Sequence, residues 1–194
     1  MAKSPTVRPG SDLAALILRL TIGPMMIVHG TNKVRGPGGL EGTARYFESL
    51  GLRPAAVHAR VAAATEVGTG ALLTMGAMTP LAAAGVVGVM TVAANTDHKG
   101  KGFFIFKGGW EYVGIVGAMA AALSALGPGR YSVDAVRGRG RGGLRPFLLT
   151  AMLGVGAAFG LLATARPKDE PATETETVPA SDASPADGSP AEAS

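Results

Sequence analysis

Three runs without a charged side chain govern what this chain can fold into. Val67–Thr96 holds 30 such residues, Tyr112–Gly129 holds 18 and Pro146–Ala165 holds 20. About 20 apolar residues in a helix cross the hydrocarbon core of a bilayer. An amphipathic helix at the surface of a soluble protein carries a charged or polar face, and these runs carry no charge. They predict an all-α integral membrane protein. With the flanking apolar segments, five membrane helices are expected: Leu13–Val28, Pro54–Met78, Pro80–Asn95, Gly109–Leu126 and Pro146–Ala165.

Breakers set the joints between them. Pro54 and Pro80 stand at favoured first-turn positions. A turn of one or two residues at Thr79 makes the second and third helices a tight antiparallel hairpin, and Gly127-Pro128-Gly129 stops the fourth. Within Gly36–Arg53, residues Leu40, Ala44, Phe47 and Leu50 share one helical face. That segment is too short and too charged to span, so it is expected to lie along the interface as a structural cap. Glycines recur in the spans, including Gly156-x-x-x-Gly160 in the last, where small residues let backbones approach closely. A compact bundle follows, not a wide pore.

Charge is segregated. Residues 1–166 carry 17 basic and 7 acidic side chains, whereas 167–194 carry one Lys and 7 acids in a Pro-, Ala-, Ser- and Thr-rich sequence. That tail buries too little to fold alone. Neither region forms the basic stripe that grips nucleic acid, so no nucleic-acid partner is expected. With no cysteine, this chain by itself supplies no disulfide, thiolate nucleophile or iron–sulfur ligation. A cleaved signal peptide is the competing reading of the N-terminus. Arg19 interrupts the apolar segment and no Ala-x-Ala site follows it, so the segment is read as a retained first helix. The division expected is an N-terminal segment (1–12), a four-helix membrane domain (13–136), an Arg/Gly-rich loop (137–145), a fifth membrane helix (146–165) and a disordered acidic tail (166–194).

Ionisable groups inside spans are expensive, so each needs a reason. Counted along their helices, Arg19 and Glu66 fall within a few ångströms of one depth, at about 1.5 Å per residue. They are expected to pair, more as a packing device than as a proton or quinone site. At the opposite end of the bundle gather His29, Asn32, Lys33, His58, Arg60, Asn95, Asp97, His98, Trp110 and Glu111. No histidine stands at i, i+4 to another, so no metal site is expected. Trp110 and Tyr112 suit an interfacial aromatic belt. Glu111 begins a span just after "GFFIFKGGW" and is expected to engage Lys33, His29 or His98. Arg19, His29, Lys33, Glu66, His98, Trp110 and Glu111 are the candidate polar or functional residues, with no catalytic role assigned.

In order, "RLTIGPMMIVHGTNK", "ATEVGTGALLTMG", "HKGKGFFIFKGGWEY" and "GPGRYSVDAV" resemble the successive signatures of the DoxX family, small four-helix bacterial membrane proteins. The resemblance covers about Leu13–Val136 and picks out Arg19, His29, Gly30, Lys33, Glu66, Gly70, His98, Gly102, Glu111, Gly127, Pro128, Tyr131 and Asp134. It implies a multi-pass protein of the bacterial plasma membrane, in contact with lipid and with protein partners of a redox complex. The role implied is an accessory or docking subunit in respiration or oxidative-stress defence. No cofactor is securely ligated, and quinone is the candidate. A stand-alone quinone oxidoreductase of the thiosulfate:quinone type and a small-solute transporter are the alternatives. The positive-inside rule does not decide the orientation. The family's usual one implies a cytoplasmic N-terminus and, with five spans, an extracytoplasmic tail.

Overall fold

The computed structural model describes residues 9–165, so the acidic tail and the first eight residues lie outside the described residues. Among the described residues the chain is all-helical, with no strand: α1 (Pro9–Arg35), α2 (Gly39–Ser49), α3 (Ala55–Met75), α4 (Thr79–Asn95), α5 (Glu111–Leu126), α6 (Val133–Val136) and α7 (Leu144–Ala165), plus a 3₁₀ turn at Ile105–Lys107. Helices α1, α3, α4 and α5 form a closed ring in which each packs on the next, and α7 lies outside that ring against α4 and α5. The ring encloses Ile22, Met26, Leu73, Val86, Val116, Ala120 and Leu123, all buried. Much of the outside is apolar as well, with Leu148, Leu149, Met152, Leu153 and Phe159 of α7 exposed.

Two helices, Gly10–Arg35 and Leu144–Ala165, are long and apolar enough to cross a bilayer. The other apolar helices, α4 and α5, have 17 and 16 residues. The first helix runs further than expected at both ends because nothing breaks it before Gly36-Pro37. His29, Asn32 and Lys33 therefore sit on the helix itself.

Small residues set the register of α1 on α3. A Cβ on Gly70 would stand 2.6 Å from the Gly23 carbonyl oxygen, and one on Gly30 would stand 2.9 Å from the Ala63 carbonyl oxygen. At the far side, Gly154 of α7 is pressed so closely on α4 that its Cβ would meet the Ala84 carbonyl oxygen at 2.6 Å. The expected Gly156-x-x-x-Gly160 contact is not made: both glycines face outward with nothing within 4 Å, because α7 turns its Gly154–Ala158 face inward.

The joint between α3 and α4 is also corrected. Helix α3 ends at Met75 and three residues, Gly76–Met78, make the turn. Gly76 (φ +64°) and Met78 (φ 47°) both adopt left-handed backbone, which costs a side-chain-bearing residue about 1–2 kcal/mol. Asp134 offsets that cost. Its two carboxylate oxygens accept the N–H groups of Met78 at 2.9 Å and Thr79 at 2.8 Å, capping the start of α4.

Candidate functional site

The two buried charges expected to pair do not meet. Arg19 is 3% exposed and donates four hydrogen bonds, all to backbone carbonyls. Nε reaches Leu73 at 3.0 Å, Nη1 reaches Pro128 at 2.9 Å and Tyr131 at 2.8 Å, and Nη2 reaches Thr74 at 2.9 Å. Those carbonyls belong to the end of α3 and the loop after α5. The guanidinium fork thus ties together two chain ends that would otherwise bury unsatisfied oxygens. The Gly23–Gly70 register puts Arg19 level with Thr74, eight residues or about 12 Å along the axis from Glu66.

Glu66 pairs instead with Lys33. Nζ lies 2.8 Å from Oε2, with the carboxylate side chain 5% exposed and the lysine 22% exposed. The pair lies in the wall of a cleft of about 990 Å³. Its long sides are the outer faces of α3 and α4, flanked by Leu153, Ala157 and Leu161 of α7. Tyr46 and Phe47 of α2, and Leu50 just after it, line its polar end with Thr43 and Asp97. Most of the lining is aliphatic or small, and its ionic and imidazole side chains are Lys33, Glu66, His58 and Asp97.

Local contacts fix the segments around the polar end. Leu52, beyond α2, packs with Leu162 and Ala165 of α7, and the Arg53 N–H donates to the Ala165 carbonyl at 2.7 Å. Tyr46 and Asp97 both line the rim. Burial first, then the polar pull and the charge of the nearby Asp97 carboxylate, push the Tyr46 hydroxyl up to about 12. Burial opposes the Asp97 charge, but Tyr46, Lys101 and His98 outweigh it and hold the carboxyl below its ordinary value. Lys101 Nζ lies 3.1 Å from Asp97 Oδ1.

The remaining candidates have separate partners. Nε2 of His29 lies 3.2 Å from the Tyr112 hydroxyl, and Nε2 of His58 lies 3.2 Å from the Arg53 carbonyl oxygen. Nδ1 of His98 is 2.6 Å from the Gly108 carbonyl oxygen, so that nitrogen carries the proton. Among the described residues no group of three or more His, Asp or Glu is placed to hold a metal ion. Glu111 does not engage Lys33, His29 or His98 as expected. Its Oε2 accepts the N–H of Ile105 at 3.0 Å, because the Gly-rich loop folds back over the start of α5. Trp110 packs edge-on to Phe103, with ring centroids 5.0 Å apart, and covers Gly114.

Sequence reasoning missed the rim contact of Tyr46 with Asp97 and the anchor of α7. There Thr150, fully buried, donates to the Pro80 carbonyl at 2.9 Å and shares a 2.8 Å hydrogen bond with Ser124. Both hydroxyls lie in uncharged runs, where small polar residues gave no sign that they face a neighbour. Asp134 was picked out only by resemblance; its local signal is the Ser132 cap, whose Oγ accepts the Ala135 N–H at 3.1 Å.

No curated protein and no solved structure matches the chain. The family model described as DoxX matches residues 14–99, which take in α1 to α4, Arg19, and both members of the Lys33–Glu66 pair. Over residues 14–99 the chain is therefore similar to the DoxX family.

Proposed function

We propose that the chain is a five-span accessory subunit of a membrane redox complex, and that its cleft receives a neutral, chain-bearing carbonyl compound of the quinone type. One observation carries this reading: an apolar cleft runs along the outer faces of α3 and α4 and reaches the Lys33–Glu66 ion pair. Lys33 and Glu66 cancel each other, so this part of the wall offers hydrogen bonds and no net charge, while Asp97 at the polar end is paired with Lys101. A charged head placed there would stay uncompensated in a medium of low dielectric. A carbonyl oxygen can accept one of the two remaining ammonium protons of Lys33 without breaking the pair. The volume lies at the upper end of the range for small-molecule sites, room enough for a ring with part of an apolar tail.

An accessory role rests on the family resemblance. In this role the chain holds and orients the carrier, while a partner supplies the electrons. A cytoplasmic N-terminus follows from the same resemblance.

The test uses the full chain purified from native membranes in mild detergent. Organic extraction should recover quinone from the wild type and much less from Lys33→Met or Glu66→Gln. A short-chain quinone should then bind the stripped wild type saturably. Cross-linking in the same membranes should capture a redox enzyme. Absence of both bound quinone and saturable binding would remove the quinone reading, and a chain that turns over quinone with no partner would make it an enzyme in its own right.

A further inference from the structure

The loop that joins α4 to α5 exposes more apolar surface than a loop in water should. Phe106 is 77% exposed, Phe104 51%, Trp110 47%, and Phe103 and Ile105 46% each. They are held in that state by the loop's own bonds. The Gly109 N–H donates to the Phe104 carbonyl at 2.9 Å, the Trp110 N–H to Gly102 at 3.1 Å and the Glu111 N–H to Phe103 at 2.9 Å. Glu111 returns the favour with its side chain on the Ile105 N–H, and His98 fixes Gly108. The rings pack on one another, Phe103 edge-on to Phe104 at 5.5 Å and Phe104 stacked on Phe106 at 5.3 Å. A loop so fully hydrogen-bonded cannot fold its aromatics inward without losing those bonds.

Its charges are arranged on the same plan. Both acids of the segment are occupied within the protein, Asp97 by Lys101 and Tyr46, Glu111 by the Ile105 amide. Lys99 and Lys107 are exposed, and among the described residues no carboxylate lies within ion-pair distance of either. Outward, the loop thus presents aromatic rings flanked by two cations, at the level where α4 ends and α5 begins.

We propose that residues 99–110 form a preformed wedge that seats in the headgroup layer of an anionic leaflet, its Phe side chains at the acyl boundary and Lys99 and Lys107 on lipid phosphates. This rests on the membrane reading, though not on any ligand in the cleft. Aromatic side chains favour the interfacial layer, and juxtamembrane lysines are drawn to anionic lipid. Glu111 is then a positioning residue: it spends its charge holding the wedge open at Ile105, and leaves the outer face of the loop cationic.

Trp110 is the only tryptophan of the chain, so its fluorescence reads this loop alone. The full chain is reconstituted in vesicles of phosphatidylcholine and in vesicles with phosphatidylglycerol added in equal part. Shallow brominated lipids should quench Trp110 in both, and acrylamide should quench it poorly. Phosphatidylglycerol should shift the emission to the blue, and high salt should reverse that shift. K99Q/K107Q should lose the phosphatidylglycerol-dependent shift and keep the rest. F104S/F106S should shift the emission to the red and admit acrylamide, and Glu111→Ala should do the same in part. Trp110 open to acrylamide in both vesicles would overturn the wedge and leave the loop to a protein partner. A shift indifferent to phosphatidylglycerol, salt and the two lysines would overturn the anionic contact. A chain that does not float with the vesicles at all would overturn the membrane reading itself, whereas quinone binding tests only the cleft.

Discussion

Arg19 and the Lys33–Glu66 pair are both charge buried in an apolar bundle, and they have opposite characters. The Arg19 guanidinium makes four hydrogen bonds to carbonyls of its own backbone, which hold the end of α3 and the loop after α5 in place. Lys33 spends one proton on Glu66 and lies beside a cleft with others free to donate. A buried charge with four of its five N–H donors bound to backbone carbonyls is a fastener. One with donors to spare, facing open volume, can hold something else. The distinction is read from hydrogen-bond occupancy, since burial alone does not separate them.

The largest effect should come from the fastener. Arg19→Leu strips the donors from four carbonyls and should destabilise the fold by at least about 3 kcal/mol, since each buried group left unsatisfied costs about 1–3 kcal/mol. Arg19→Lys, with three donors on a flexible stem, should recover only part of that. Thermal unfolding in detergent measures both. If Arg19→Leu unfolds normally yet releases quinone, the two regions have been assigned the wrong way round.

Next is a coupling measurement. A double-mutant cycle of Lys33→Met with Glu66→Gln should show an interaction of about 1–3 kcal/mol, as contacting residues do. A cycle of Arg19→Leu with Glu66→Gln should be additive within about 0.5 kcal/mol. Coupling in the second cycle and none in the first would restore the pairing that the sequence suggested.

Packing supplies a third contrast of similar or smaller size. Gly154→Ala drives a methyl into the Ala84 carbonyl and should cost about 1–3 kcal/mol. Gly156→Ala and Gly160→Ala meet nothing and should change stability by less than about 0.5 kcal/mol. A large loss at Gly156 or Gly160 would mean that this face is covered in the membrane by another helix.

The smallest effect concerns the rim of the cleft. The Asp97 carboxyl is held below its ordinary value, so its contribution is present above about pH 4 and fades as pH falls through the lowered folded value. The Tyr46 hydroxyl is raised to about 12, so its share is intact below about pH 10 and is lost as pH rises toward the folded value. Stability against pH should therefore be flat near neutrality and sag at both extremes. Asp97→Asn should flatten the acid limb and weaken the alkaline one; a profile unchanged by that substitution would release α2 from the rim contact.

How much of this was legible beforehand depended on which direction along the helices was at stake. Helices α4, α5 and α7 were visible in uncharged runs, because bilayer-length apolar sequence has few other uses. Boundaries at Pro54, Pro80 and Gly127 fell within a few residues, since those residues break helices locally. The amphipathic segment before Arg53 was visible as well, from one apolar face in eleven residues. The candidate site was legible as a set of residues and illegible as a set of contacts. Lys33, Glu66 and Glu111 were all singled out, but each was given the wrong partner or none.

The reason is geometric. Sequence by itself determined which segments are helical and apolar, which end of the bundle collects the histidines and aromatics, and that Arg19 and Glu66 each needed a partner, because these follow from local chemistry and from counting residues along an axis. Only the tertiary structure decided the register and the facing. Gly23, Gly30 and Gly70 slide α1 along α3 until Arg19 meets Thr74, and Gly154 turns α7 so that the cleft stays open beside Lys33 and Glu66. Those choices are made by close backbone approach between segments far apart in the chain, which no single stretch of sequence records.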